Sequence, residues 1–345
     1  MYLANKLFSL AVDGYSNYRQ NDKTCQIIRN PDTFNGQIYT IDDFYESYKH
    51  YFEKPWEFYI DNKEMDINMR KGTPKKTDRS YKSVRPYQPY LFNTPLPSAW
   101  PENNVVPFKW FSDEKKRSKT ILLFAPGGWR PNYKVEEKFC YHLFQNGIDA
   151  GLLTVPYQIE RTPKIANYSG EFFISAHVFF TIENFQLFVA EIRRLIQYMR
   201  KHYEYVGLIG MSSGGFYTGI AADCEEVDFL FPFITGCELG SITFNGQITK
   251  FVKRDLLNKG IDEDALNKAW SISDQLILGK HLKAKHIKHY ISLFDNTVPT
   301  KFQKMLWEKY GKKDKLELES GHYSSYFMFK RIIDDITGFV KDRIK

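Results

Sequence analysis

The sequence predicts an α/β protein built on a mostly parallel central sheet with helices on both faces. From residue 105 onward, short apolar runs alternate with longer segments of helical periodicity. Runs such as TILLFAP and VDFLFPFI lack polar alternation, which is typical of strands covered on both faces. A glycine-flanked serine also joins one apolar run directly to a helix. These observations together favour a parallel sheet over a one-sided antiparallel one.

Length and charge limit the domain organisation and the partners. The 345 residues suit one domain with insertions, and we expect residues 1–104 to form an N-terminal extension packed on a domain of residues 105–345. The formal charge of +7 comes from 48 basic and 41 acidic residues spread along the chain, so we expect no nucleic-acid partner. The densest basic stretch, Lys71 to Lys82, has the composition of a solvated loop.

Cysteine usage and hydropathy predict a cytoplasmic protein without a membrane span. Cys25, Cys140, Cys224 and Cys237 lie far apart, so neither a zinc site nor a disulfide framework is indicated. The apolar run near the N-terminus is too short for a signal peptide. No run reaches the roughly 18 apolar residues that a membrane helix needs.

The first hundred residues carry aromatic-rich fragments without sustained periodicity. We expect short helices here, followed by an extended, proline-rich loop that wraps the domain. Simple packing on the domain, a lid over the site and an oligomer contact all remain open for this extension.

The next elements begin the sheet. VVPFKWFS and TILLFAPGG, separated by a charged turn, predict an antiparallel strand pair whose second member is buried. A helix in VEEKFCYHLFQNGI and a strand in GLLTVPY follow.

The second half continues the alternation. In IENFQLFVAEIRRLIQYM, apolar residues recur every three or four positions and predict one buried helical stripe. The strand YVGLIGM, the helix FYTGIAADCE and the strand VDFLFPFI follow; later come HIKHYISLF, KFQKMLWEKYG and KLELES as strand, helix and strand, then a closing helix from about Tyr323. Between them, residues of about 240–285 break the rhythm and predict an inserted cap over the carboxyl edge of the sheet.

The segment Gly210–Gly215, GMSSGG, holds the strongest candidate for chemistry. A serine on so tight a strand-to-helix turn is exposed above the sheet, and small neighbours let the strand and the helix approach each other. Ser212 therefore becomes the candidate nucleophile, with Ser213 as the competing serine and also as a backbone N–H donor to an oxyanion. The alternative is a glycine-rich turn that only packs a helix on a strand.

A serine nucleophile needs a base and an acid, and both candidates follow predicted strands. His322 comes just after KLELES, behind a glycine that we expect to permit a sharp turn, and Asp295 comes just after HIKHYISLF. Both thus lie at the carboxyl edge of the sheet, where open α/β sheets hold their sites. Glu238, after the preceding strand, is an alternative acid.

The remaining expectations concern the oxyanion donor and metal binding. The loop after TILLFAP should expose a second backbone donor, at Gly128 or Trp129. His281, His286 and His289 suggest a metal site by spacing, but positions 286 and 289 point to opposite faces of a strand. We therefore expect neither a metal nor a cofactor.

In order, PGGW, GMSSGG, FDNTVP and SGHYSS give residues 105–345 a resemblance to the α/β-hydrolase superfamily. The segment from Pro156 to Pro163, with GEFF after it, resembles bacterial relatives of alpha/beta hydrolase domain-containing protein 18, which have histidine in place of Gln158. The resemblance implies the α/β-hydrolase fold and hydrolase chemistry, and supplies no substrate.

Together, the residues predict a serine hydrolase that forms an acyl-enzyme and cleaves a carboxylic ester. The abundant Phe and Tyr suit a small-molecule or lipid-like acyl substrate. Amide, thioester or lipid-ester hydrolysis remains open, as does a non-catalytic binding protein that keeps the fold.

Overall fold

A computed structural model describes residues 2–24, 40–60, 67–72 and 87–344. Its strands form one sheet in the order β1-β2-β3-β5-β4-β6-β7-β8-β9. The strands are β1 (Arg70–Lys71), β2 (Tyr87–Asn93), β3 (Val105–Phe111), β4 (Thr120–Ala125), β5 (Asp149–Leu153), β6 (Tyr205–Met211), β7 (Val227–Phe233), β8 (Ala284–Ser292) and β9 (Asp314–Leu318).

Helices fill the connections between the strands and the N-terminal part of the chain. They are α1 (Tyr2–Thr24), α2 (Ile41–Ser47), α3 (Lys49–Glu53), α4 (Lys134–Gln145), α5 (Val178–Arg200), α6 (Ser213–Cys224), α7 (Leu239–Asn245), α8 (Lys250–Asn258), α9 (Glu263–Trp270), α10 (Gln275–Leu278), α11 (Thr300–Lys309) and α12 (Phe329–Lys341). The first helix is therefore much longer than the short helices predicted for this region.

The strands β5, β4, β6, β7, β8 and β9 run parallel, with helices on both faces, which confirms the predicted fold class. The predicted pairing of β3 with β4 is wrong. β3 pairs antiparallel with β5, and β5 lies between β3 and β4. The charged turn between β3 and β4 thus connects strands that are not neighbours, a connection that local sequence cannot distinguish from a hairpin.

β2 lies where the sequence pattern predicts an extended loop. It pairs antiparallel with all of β3, so the sheet begins before residue 105. Pro89 has no N–H to donate, but its carbonyl accepts a 2.8 Å hydrogen bond from Gly72 N–H. The sequence pattern does not predict this strand, because a proline interrupts it and its polar and apolar residues do not alternate cleanly.

The apolar stripe predicted on α5 is confirmed. Its residues at positions 182, 185, 188, 189, 192, 195, 196 and 199 are all buried in the main core. Burying this stripe beside α6 stabilises the helix that follows the candidate nucleophile.

Some sequence predictions concern residues outside the described part. Cys25 and positions 73–82 of the basic stretch belong to this group. Within the described ranges, no helix has the length and apolar character to cross a bilayer. The same ranges contain no group of three or more His, Cys, Asp or Glu residues placed to bind a metal ion.

Candidate active site

Ser212 occupies a strained turn between β6 and α6. Its backbone has φ 56° and ψ −125°, a left-handed region that a residue with a side chain rarely adopts. Ser212 N–H donates to the carbonyl of Phe233 on β7 at 2.9 Å, and α6 begins at the next residue. The chain thus bends sharply at the serine that the sequence singles out.

Close backbone contacts explain the glycines on both sides of this turn. A Cβ at Gly214 would lie 2.0 Å from the carbonyl oxygen of Ala125, at the end of β4. A Cβ at Gly210 would lie 2.1 Å from Oγ1 of Thr218 on α6. Any larger residue would push α6 away from the sheet, so the glycines set the position of Ser212.

His322 and Asp295 form a buried ion pair or hydrogen bond. Nδ1 of His322 lies 2.7 Å from Oδ2 of Asp295, and both side chains are buried. The other Asp295 oxygen accepts from the N–H groups of Thr297 at 2.8 Å and Val298 at 2.9 Å. Nε2 of Gln303 donates to Oδ2 at 2.9 Å, so the carboxylate is fixed from several directions.

Ser212 and His322 line one cleft of about 630 Å³, a volume that includes space open to solvent. Much of its wall is apolar, formed by Trp129, Phe173, Phe216, Leu239, Ile242 and Ile248 among others. Three of these belong to the helical segment between β7 and β8 that the sequence predicts as a cap. The cleft therefore offers an apolar surface next to Ser212 and His322.

The loop after β4 lies against the nucleophile turn, as the oxyanion prediction requires. Gly128, Trp129 and Ser213 all line the cleft. Gly128 has φ 70°, and its N–H donates to Oγ of Ser213 at 3.0 Å. This donor therefore already has a protein acceptor, which ties the loop to the first residue of α6.

Gln158 fixes the same loop from the other side, a contact that the sequence does not reveal. Its Nε2 donates to the carbonyl of Gly128 at 2.6 Å, and its Oε1 accepts from Arg130 N–H at 3.3 Å. The residues on both sides, Tyr157 and Ile159, have φ 60° and 53°. Strained backbone beside a buried polar side chain is typical of a functional site.

A buried ion pair anchors the segment that carries Gln158. Arg161 binds Glu191 of α5 through two hydrogen bonds, of 2.8 and 2.6 Å, and both side chains are fully buried. Arg161 also donates to the carbonyls of Asn103 and Thr154. The bidentate geometry holds the segment in one orientation.

Glu238, the alternative acid, lies in a different environment. It has φ 54°, and its N–H donates to Oδ1 of Asp274 at 3.2 Å. Burial and the neighbouring Asp274 carboxylate raise the pKa of Glu238. Since His322 bonds to Asp295, the geometry favours Asp295 over Glu238 as its partner.

The loop that carries His322 is bound by a residue from α1. The carboxylate of Asp13 accepts hydrogen bonds from the N–H groups of His322, of Tyr323 at 3.0 Å and of Ser324 at 3.2 Å. A Cβ at Gly321 would lie 2.2 Å from Oδ2 of Asp13, and Gly321 does not have positive φ. The glycine thus leaves room for the close approach of the carboxylate, while the chain bends at residues 319–320 and turns at residues 322–323.

No protein-family model and no curated protein matches the sequence. Solved structures do resemble it. An acetyl xylan esterase from a Paenibacillus species superposes with a TM-score of 0.55 at 14% identity, over 92% of this chain and 98% of the esterase. Acetyl xylan esterase 1 from a Thermoanaerobacterium species gives 0.55 at 13% identity, over 80% and 88%. This chain has an α/β-hydrolase fold.

A Pyrococcus horikoshii acylaminoacyl peptidase shares the fold, with a TM-score of 0.55 and 14% identity over 78% of this chain. The matched region is only 43% of the peptidase. Similarity at this level of identity establishes the fold and leaves the substrate open, because one fold supports many activities.

Proposed function

We propose that this chain is a serine hydrolase that cleaves a carboxylic ester, with Ser212 as nucleophile, His322 as base and Asp295 as the acid that orients the base. One observation carries the proposal: the imidazole of His322, hydrogen-bonded to a buried carboxylate at 2.7 Å, lines the same cleft as a serine with φ 56°. Acid, base and strained serine come together from three distant parts of the chain. Structural packing alone does not require that combination.

The proposed reaction has two halves. Asp295 accepts from Nδ1–H of His322, which leaves Nε2 unprotonated to take the proton of the Ser212 hydroxyl. The serine oxygen attacks the ester carbonyl, and the alcohol leaves with the proton from His322. Water then attacks the acyl-enzyme with the same base, which releases the acid and regenerates Ser212.

The developing oxyanion needs donors at the amino end of α6 and in the loop after β4. In the proposal, Ser213 N–H is one donor and the Gly128–Trp129 loop supplies the second, each contributing on the order of 3 kcal/mol to the transition state. Gly128 N–H serves only if Oγ of Ser213 gives it up, since that hydroxyl accepts it here. Gln158 would then keep the loop in place during the exchange.

The proposed substrate is a small-molecule or lipid-like acyl ester, because the cleft beside Ser212 is largely apolar. Two solved structures with this fold are named as acetyl xylan esterases, which supports ester hydrolysis. The peptidase among them keeps amide hydrolysis as a second candidate.

The proposal is tested with a fluorophosphonate probe and a panel of acyl esters. The wild-type protein should be labelled and should hydrolyse at least one ester, and Ser212→Ala should lose both activities. Ser213→Ala is the matched control, since it removes the neighbouring hydroxyl and keeps Ser212, so its label should persist. Labelling of Ser212→Ala, or a wild-type protein that neither reacts nor hydrolyses, would overturn the proposal.

We also propose a reducing compartment such as the cytoplasm. Cys140, Cys224 and Cys237 are free thiols, which fits a compartment that keeps cysteines reduced. The narrower relation to alpha/beta hydrolase domain-containing protein 18 stays a proposal as well. Its support is that the 156–163 segment, with Gln158 in place of histidine, contacts the proposed oxyanion loop.

A further inference from the structure

The buried face of α1 is polar, although most surface helices bury an apolar stripe. Ser9, Asp13 and Asn17 follow one another at intervals of four residues, and all three are buried. Several apolar residues of the same helix are exposed instead, Leu7 and Tyr15 among them. Polar contacts with the rest of the chain therefore fix the orientation of α1.

Those contacts reach both loops of the acid–base pair. Asp13 accepts from three consecutive N–H groups of the His322 loop. Four residues on, Oδ1 of Asn17 accepts from Oγ1 of Thr297 at 3.2 Å, in the loop whose N–H groups bind Asp295. One helix thus connects the base loop and the acid loop, which lie 27 residues apart in sequence.

Asp13 takes the place of a local helix cap. The 3₁₀ turn over residues 324–328 leads into α12, and its N-cap residue, Tyr323, makes no side-chain capping bond. A carboxylate that accepts the first N–H groups is the usual cap at such an end. Here it comes from a helix about 310 residues earlier in the chain.

We propose that Asp13 is a positioning residue for the acid–base pair: its carboxylate holds the backbone at residues 322–324 so that the His322 imidazole stays aligned with Asp295 and Ser212. This inference rests on the proposed function and assigns α1 to the active site. Burial, and to a smaller extent the Asp295 charge, raise the pKa of Asp13, and the His322 charge and the backbone donors partly offset that effect.

The test compares Asp13→Asn with Asn5→Ala. Asn5 lies on the same helix but bonds the exposed side chain of Glu319, so its variant tests general damage to α1. Asp13→Asn should lower kcat for a short-chain ester, and the rate of fluorophosphonate labelling, on the order of 100-fold, because small displacements of a base are costly. KM should stay within about twofold, since the cleft walls are unchanged. The control should match the wild-type protein.

Two further measurements separate positioning from folding. Circular dichroism identifies a temperature at which each variant is folded, and hydrogen exchange of the segment 321–324 reports whether its N–H groups lose protection in Asp13→Asn. If the N–H groups of residues 321–324 exchange faster in Asp13→Asn but kcat and the labelling rate stay at their wild-type values, the inference is overturned. It is also overturned if these N–H groups keep their wild-type protection. If Asp13→Asn does not fold, Asp13→Glu decides: its longer side chain must displace the loop at Gly321, so an unchanged kcat would overturn the inference.

Failure of the proposed function gives a different result. If the wild-type protein neither reacts with the probe nor hydrolyses any ester, Asp13 has no catalytic pair to position. Hydrogen exchange would still report the contact between α1 and the His322 loop.

Discussion

The turn at Ser212, the proposed nucleophile, and the His322–Asp295 pair, the proposed base and acid, reach the same cleft by different means. Ser212 is positioned by backbone: β6, α6 and the glycines at 210 and 214 fix its φ and ψ within a short stretch of sequence. His322 and Asp295 depend on side chains as well as on backbone N–H groups, from Gln303 eight residues beyond Asp295 to Asp13 on α1. The first arrangement is local and rigid, whereas the second depends on distant parts of the chain.

This difference separates two kinds of sensitivity to mutation. In the nucleophile turn, steric changes should matter most, because a Cβ at Gly214 would collide with backbone atoms of β4. In the acid–base pair, loss of one hydrogen-bonding group should reduce activity while the fold persists. Substitutions that keep side-chain shape and change only hydrogen bonding therefore test the comparison directly.

The largest expected effect is that of Asp295→Asn. The amide cannot accept the Nδ1 proton of His322 as a carboxylate does, so the imidazole adopts the wrong tautomer and kcat should fall about 10⁴-fold. Steady-state hydrolysis of the best ester measures this loss, and circular dichroism should show a folded protein. Glu238→Gln serves as the matched control, because the Glu238 side chain hydrogen-bonds to Ser241. A loss in Glu238→Gln with full activity in Asp295→Asn would make Glu238 the acid.

The same contrast explains what the sequence predicts well. The parallel sheet, the α5 stripe and the turn at Ser212 all follow from residues that are neighbours in sequence. The order of strands in the sheet and strands that contain proline do not follow from sequence neighbours. The sequence therefore predicts neither the position of β5 between β3 and β4 nor the strand β2. The candidate residues Ser212, Asp295 and His322 follow one another in the order expected for a triad in this fold, but contacts between side chains far apart in sequence leave no local pattern.

Asp13, Gln158 and Gln303 illustrate that limit. Each is a common polar residue whose importance comes from its partner, and nothing in the sequence around Asp13 or Gln303 marks either as functional. For Gln158 alone a signal existed, because it lies in the PYQIERTP segment that carries the narrower resemblance. Gly321 is the opposite case: the sequence indicates that this glycine matters, but the carboxylate that approaches it comes from α1.

A smaller effect is expected at Gln158, which supports the loop beside the nucleophile turn. Gln158→Leu leaves the carbonyl of Gly128 and the N–H of Arg130 without this partner, so kcat should fall on the order of tenfold with little change in KM. Gln158→Glu is the companion variant: it keeps an acceptor for Arg130 N–H but replaces the donor to Gly128 with a carboxylate oxygen, and the buried negative charge beside that carbonyl should lower kcat at least as much. Full activity in both variants would show that Ser213 alone is sufficient to hold the loop.

The smallest effect on activity is expected at Asp223, on α6 and remote from the cleft. Burial raises its pKa to about 7, and Nε2 of Gln275 donates to its Oδ2 at 3.0 Å. The folded state therefore keeps a proton that the unfolded chain releases, so this group's contribution to stability is complete below about pH 3.8 and is lost as pH rises to about 7. Asn mimics the protonated carboxyl group, so Asp223→Asn should not lose this stability as the pH rises. The difference in the free energy of unfolding should be at most about 4 kcal/mol.

Urea unfolding of wild-type and Asp223→Asn protein at about pH 5 and about pH 8 measures this difference. The variant should be the more stable protein at the higher pH, and its advantage should shrink at the lower pH because wild-type Asp223 is then protonated in the folded state. Ester hydrolysis should be unchanged, since α6 keeps its position below Ser212. If Asp223→Asn has the same stability at both pH values but does not hydrolyse the ester, a change at the carboxyl end of α6 must alter the turn at Ser212. The position of Ser212 would then depend on distant side chains as much as the positions of His322 and Asp295 do.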